Sequence, residues 1–280
     1  MTFIVTLIGL LIERFFDWSH LRKWSWFKSL QDAISKRFPG KSAYITLALT
    51  VIPLVLIIAL IESALSGLLF GFIKFLFKLF VFLYCLGPKN LWADSFACIN
   101  AIVQGDKEFA MSKLKSAFNI SDINQAQSLH QYLLNSIFIE ANRRVFAVLF
   151  WFVIAGPVGA VFYRAIVLSA NDGQGQDPTS GIALSARKIE SILDWIPVRL
   201  FTFLFALGGH FMQVLSVWRK QAVLGLSSNE TLLTECGVAA LHIDENKLPE
   251  DGLAERQAIS LLDRSFVISL VIIAIISLLW

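Results

Sequence analysis

Charge is scarce in this sequence: Asp, Glu, Lys and Arg make up 16% of its 280 residues, where a water-soluble domain carries roughly a quarter. So thin a polar coat excludes a soluble globular enzyme. It also excludes a disordered chain, which stays solvated through its charge. Cysteine is sparse too. Cys85, Cys98 and Cys236 form no CxxC pair and no Cys/His spacing, so neither a zinc site nor a disulfide framework follows. Seven Pro and 16 Gly fall short of a collagen-like composition. There is no strand-type alternation, internal repeat, Ser/His/Asp order or GxxxxGK loop. The commonest catalytic and phosphate-binding signatures are therefore missing. No metal, cofactor or nucleic-acid partner is expected.

What is present is apolar. Hydrophobic residues make up 56% of the chain, with 24 Phe and 8 Trp, and the mean hydropathy is +0.66. Such a surface suits lipid and would aggregate in water. A spanning helix needs about 20 mostly apolar residues, because hydrocarbon offers the backbone no hydrogen-bond partner. Five segments meet or approach that length: 44–61, 67–86, 145–169, 196–218 and 265–280. The stretch 3–12 is too short to span and lacks the basic start and cleavage site of a signal peptide; it reads as a retained helix dipping into the bilayer. Apolar residues recur at three and four in the polar stretches, of which 88–144 is the largest. The sequence thus predicts an all-α polytopic membrane protein, one integral membrane domain over 1–280. It would have about five spanning helices, a short amino-terminal membrane helix and helical cytoplasmic loops.

Orientation follows from the basic residues. Loops 14–41, 89–144 and 219–264 hold seven, six and five Lys or Arg, and 171–195 holds two. Basic loops stay cytoplasmic, so eighteen against two places the large loops inside the cell and the carboxyl terminus outside. Gly156-Pro157 interrupts the third segment. A re-entrant hairpin there would move everything after it to the other side, giving fifteen against five.

Ionisable residues at membrane depth cost about 2.5–3.5 kcal/mol, so they either snorkel to the headgroups or face a polar interior. Arg164 and Arg199 lie near the same membrane face. They either reach the headgroups or line a pocket, with Glu190 and Asp194 as available partners. Lys74 and Lys78 form a basic stripe one helical turn apart. His210, in LGGHF midway along the fourth segment, reads as a buried histidine bonded to a carbonyl or as a proton-transfer group. His242, Asp244 and Glu245 have cation-binding chemistry without a specific spacing; the polar stretch 240–264 otherwise reads as a solvated connector.

Three stretches, FIEANRRVFAVLFWF at 138–152, GPVGAVFYRAI at 156–166 and SARKIESILDWIPVRL at 185–200, resemble in order and separation the AmpE family of inner-membrane proteins, which is linked to β-lactamase induction. The similarity begins at LIGLLIERFF. The same stretches are more distantly similar to the CobD/CbiB cobinamide-phosphate synthases, membrane enzymes that form an amide. In that comparison Tyr163, Arg164, Arg187, Glu190 and Arg199 match synthase positions. Arg143 stands where the synthases carry an acid, and Ile166-Val167 replace their Asn-Thr.

The AmpE resemblance implies a regulatory protein of the bacterial inner membrane, sensing or relaying cell-wall state, rather than an enzyme. Its expected site takes in Glu140, Arg143, Tyr163, Arg164, Arg187, Glu190, Asp194 and Arg199. Guanidinium groups of this kind suit an anionic lipid or a muropeptide carboxylate. The synthase resemblance implies the alternative, an enzyme making an amide or phosphoester bond on a membrane-bound substrate.

Overall fold

The computed structural model of the protein describes residues 2–15, 22, 24–38, 42–65, 71–87, 90–118, 128–171, 181–221, 225, 228–243 and 251–279. These are helical, with no strand among them, so the chain is a polytopic α-helical membrane protein. In chain order the helices are α1 (Thr2–Phe15), α2 (Ser25–Arg37), α3 (Ala43–Ala64), α4 (Gly71–Cys85), α5 (Leu91–Val103), α6 (Lys107–Phe118) and α7 (Leu129–Ala141). A π-helical turn (Asn142–Phe146) follows, then α8 (Ala147–Asn171), α9 (Gly181–Gly208), α10 (Phe211–Gln221), α11 (Asn229–Leu241) and α12 (Leu253–Leu279). Four stretches have the length and composition to cross a bilayer: Ala43–Ala64, Leu129–Asn171, Gly181–Gly208 and Leu253–Leu279. On α3, Ile52, Leu56 and Leu60 recur every fourth residue and are exposed, as a lipid-facing stripe is.

The chain divides into two compact units, one of Met1–Pro88 with Ala147–Leu193 and one of Lys89–Phe146 with Asp194–Trp280. In the first, α1 lies on α4 at Gly9, where a Cβ would sit 2.5 Å from the Phe82 ring. Phe82 in turn packs on Phe152 of α8, with ring centroids 4.7 Å apart. Buried Glu13 and Arg22 form an ion pair, and Arg22 Nη1 donates to the Gly87 carbonyl at 2.9 Å. Trp24 Nε1 donates to the Tyr84 carbonyl at 3.3 Å and Trp26 Nε1 to the Tyr84 hydroxyl at 2.8 Å. This cluster of indole and phenol groups is typical of the membrane–water boundary.

The expected third segment does not run straight. Gly156 has φ 65° and ψ −154°, a region essentially restricted to glycine, and Pro157 follows as the first residue of the second arm, where its missing N–H costs nothing. A Cβ on Gly159 would lie 2.5 Å from the carbonyl oxygen of Trp151. Eight residues of straight helix would separate those positions by about 12 Å. The chain therefore doubles back at Gly156. The returning arm, 157–171, is about 22 Å long, shorter than a hydrocarbon core of about 30 Å.

The expected fourth segment also folds over. Helix α9 ends at Gly208 and α10 starts at Phe211. Trp218 Nε1 donates to the Arg199 carbonyl at 3.3 Å, and the rings of Phe203 and Trp218 meet edge-on at 6.4 Å. On a continuous helix those 19 residues would span about 28 Å. The corner is held by α11: His210 N–H donates to the Ala240 carbonyl at 3.1 Å. His210 is exposed at this corner rather than buried midway along a span.

The second unit is cored by phenylalanine. Phe146 stacks on Phe201 at 4.3 Å, Phe201 meets Phe205 at 4.6 Å and Phe266 at 5.5 Å, and Phe138 meets Phe205 at 5.4 Å. Each such pair adds about 0.5–1.5 kcal/mol beyond its area burial.

Candidate functional site

Polar groups in the second unit gather around the π-helical turn. A π turn places one extra residue in the helix and re-aims the side chains on it; here it carries Asn142, Arg143 and Arg144. Asn142 Nδ2 donates to Asp194 Oδ1 on α9 at 3.2 Å. Arg143 reaches α11, with Nη2 2.8 Å from Glu230 Oε1 and Nη1 3.7 Å from Glu140 Oε1. From α9, Arg199 Nη1 donates to Asn229 Oδ1 at 3.1 Å and to the Trp195 carbonyl at 2.9 Å. Its guanidinium also lies 4.2 Å from the Trp195 ring centre, a cation–π contact. Two guanidinium groups thus converge on adjacent residues, Asn229 and Glu230, in the first turn of α11. Ser228, at the cap position, makes no side-chain cap hydrogen bond. The first-turn N–H groups and the helix dipole add positive potential there.

Arg144 has a different part. Its Nε donates to Glu140 Oε2 at 2.6 Å, Nη2 donates to the Ala117 carbonyl at the end of α6, and Nη1 stands 3.8 Å from Asp94 Oδ2 on α5. Asp94 also takes Lys113 Nζ at 3.3 Å. Arg144 is 4% exposed, so it ties three helices together and offers nothing to solvent. A second buried pair, His130 Nδ1 with Glu255 Oε1 at 2.6 Å, joins α7 to α12. Nearby, burial pushes the thiols of Cys98 and Cys236 up to about 12, so both stay protonated and inert.

Of the residues expected from sequence, Glu140, Arg143, Asp194 and Arg199 fall in the second unit. Tyr163, Arg164, Arg187 and Glu190 fall in the first, on the returning arm of α8 and on the start of α9. Tyr163, Arg164 and Glu190 are buried. Arg187 Nε donates to the Ala170 carbonyl at 3.3 Å, joining the two helices. Asp244 and Glu245 lie outside the described residues. Sequence reasoning passed over Asn142, Arg144, Asn229 and Glu230. For Arg144 the signal was its i,i+4 spacing from Glu140; for Asn229 and Glu230 the sequence holds no such signal, because only the fold brings α11 to the π turn.

The profile of a family described as "Regulatory signalling modulator protein AmpE" matches residues 1–280. The protein AmpE of Shigella flexneri is 26% identical over 99% of this chain and 98% of its own length. A cobalamin biosynthesis protein CobD from Stutzerimonas stutzeri is 28% identical over 78% of this chain and 73% of its own. Another CobD, from Chromobacterium violaceum, is 26% identical over 56% of this chain and 51% of its own. No solved structure matches.

Proposed function

The chain belongs to the AmpE family of regulatory signalling modulators, and from that premise we propose that it is a bacterial inner-membrane regulator that binds an anionic ligand and modulates β-lactamase induction. The observation that carries the reading is the convergence of Arg143 and Arg199 on Asn229 and Glu230 at the start of α11. A carboxylate or phosphate there would take the place of the Glu230 side chain on Arg143, gain the helix dipole and engage guanidinium forks in charge-assisted hydrogen bonds. The ligand class is a muropeptide carboxylate or an anionic lipid headgroup; both present the same group to arginine. Arg164 on the returning arm, with Tyr163, Arg187 and Glu190, stays a separate candidate within the first unit.

The two fold-backs support a topology that the loop charges favour more strongly than either arrangement read from sequence. If 145–169 and 196–218 each return to the side from which they came, only 44–61, 67–86 and 265–280 cross. All 20 Lys and Arg of the four polar loops then lie on one face and none on the other, which the positive-inside rule makes cytoplasmic. The ligand site faces the cytosol in this arrangement.

The test measures β-lactamase induction together with retention of anionic lipid and muropeptide by the purified protein, in the wild type and in Arg199→Ala and Arg143→Ala. The expected result is loss of retained ligand with altered induction. Unchanged ligand and unchanged induction in both variants would remove the site. A second reading, an amide- or phosphoester-forming enzyme related to the CobD proteins, gains support because the same topology puts Asp194 on the nucleotide-bearing side of the membrane. Nucleotide turnover by the purified protein with candidate amines and acids separates the two.

A further inference from the structure

Two of the four histidines, 32 positions apart in sequence, meet at the corner where α9 turns into α10. The rings of His210 and His242 have centroids 5.1 Å apart and planes inclined by 44°. Both side chains are exposed, and the sequence runs on from His242 as IDENKLPED, so the corner adjoins a polar stretch of chain.

The backbone fixes both rings. A Cβ at Gly209 would lie 2.6 Å from the Ala240 carbonyl oxygen, so only the absent side chain lets the corner approach α11 this closely. The next residue, His210, then donates its N–H to that same carbonyl. His242, at the end of α11, sits in the left-handed region at φ 57° and ψ 41°, which turns its side chain back over the corner. Gln213, in the first turn of α10, lays its side-chain amide against His242 Nδ1, with Nε2 at 2.6 Å and Oε1 at 2.9 Å, and the amide turned with its oxygen toward the ring accepts from Nδ1–H. An Nδ1–H donated to that oxygen sets the tautomer with the lone pair on Nε2, the orientation that an outer hydrogen bond gives a metal-ligating histidine.

We propose that His210 and His242 form a binding site for a borderline divalent cation of the zinc, nickel or copper type, with Gln213 positioning His242. Two imidazoles on one tetrahedral ion, with metal–nitrogen bonds of about 2.0–2.1 Å, hold their ring centres about 5 Å apart, which is the separation found. Among the described residues no three His, Cys, Asp or Glu side chains gather, so the two imidazoles are the ligands that the described residues supply. Imidazole ligation selects these ions over magnesium or calcium, which take oxygen.

The experiment titrates Zn2+ into the full-length detergent-solubilised protein, purified without a histidine tag, by calorimetry and by competition with a chromophoric chelator. One Zn2+ per chain is expected, with Mg2+ failing to compete. His210→Ala and His242→Ala should each weaken binding at least tenfold, and Gln213→Ala should weaken it about tenfold or more with both imidazoles retained. His20→Ala should bind as the wild type does. Helix content by circular dichroism confirms that each variant is folded. Absence of stoichiometric Zn2+ from the wild type, or full binding in both histidine variants, overturns the site and leaves the two rings as a packing contact.

Discussion

Lys78 Nζ stands 3.1 Å from Glu62 Oε1, with both side chains more than three-quarters buried, at the place where the α8 hairpin turns. Both Glu62 oxygens are 3.8 Å from where a Gly156 Cβ would be. The carboxylate therefore faces the amino-terminal end of the arm that begins at Pro157, where the helix dipole favours negative charge. One lysine and one glutamate from neighbouring helices thus clamp a third element at its bend.

This arrangement predicts an asymmetric double-mutant cycle. Lys78→Met alone leaves Glu62 charged and uncompensated and should cost about 2–4 kcal/mol, whereas Lys78→Met with Glu62→Leu should cost less than either single change. Thermal unfolding in detergent, followed by circular dichroism, measures it. Additive losses would mean that the pair is not coupled.

Gly156→Ala puts a Cβ on a backbone that only glycine adopts readily, and about 1–3 kcal/mol of stability should be lost. Gly105→Ala, also at positive φ but with open space around it, is the comparison; it should cost less because its turn can relax. Equal melting temperatures for the wild type and Gly156→Ala would contradict the bend.

Arg143 and Arg144 are neighbours with opposite expected phenotypes. Arg144→Ala strips the buried Glu140 carboxylate and the Ala117 carbonyl of their donor and should destabilise the protein by about 3–5 kcal/mol. Arg143, a quarter exposed, should change stability by less than about 1 kcal/mol while changing ligand retention. Expression level and melting temperature of the two variants, measured side by side, decide this.

Cysteine labelling tests the topology without prior removal of the native thiols. Cys85, Cys98 and Cys236 are all buried, and thiols pushed up to about 12 at Cys98 and Cys236 carry almost no thiolate at pH 8. A maleimide that cannot cross the membrane should therefore ignore the wild type in intact cells. Ser66→Cys should be labelled from outside, and Gly175→Cys and Glu245→Cys only after permeabilisation. Labelling of Gly175→Cys or Glu245→Cys in intact cells would return one of the fold-backs to a crossing helix.

Helical class and membrane habitat were legible because they rest on sums, namely apolar content, segment length and charge per loop. Direction was harder to read. A hydropathy window over 196–218 totals the same whether the helix runs straight or doubles over, so the tandem Gly208-Gly209 passed as the middle of a span when it marks a corner. At Gly156-Pro157 the break was readable, since proline follows a residue free of side chain; that the arms come into contact at Gly159 and Trp151 was not. The polar residues followed the same pattern. Arg143 and Arg199 stood out by type, but their partners Glu230 and Asn229 lie 87 and 30 positions onward, and no local spacing announces a neighbour brought in by tertiary packing.

The doubled-back segments bear on how the protein is made. A stretch that leaves by the leaflet through which it came delivers no hydrophilic tail to the far compartment. On the proposed topology, then, the polar loops between residues 14 and 264 give the export machinery only the brief α3–α4 connection to carry across. The remaining helices can assemble afterwards, against a frame already anchored, from the side where the ribosome stands.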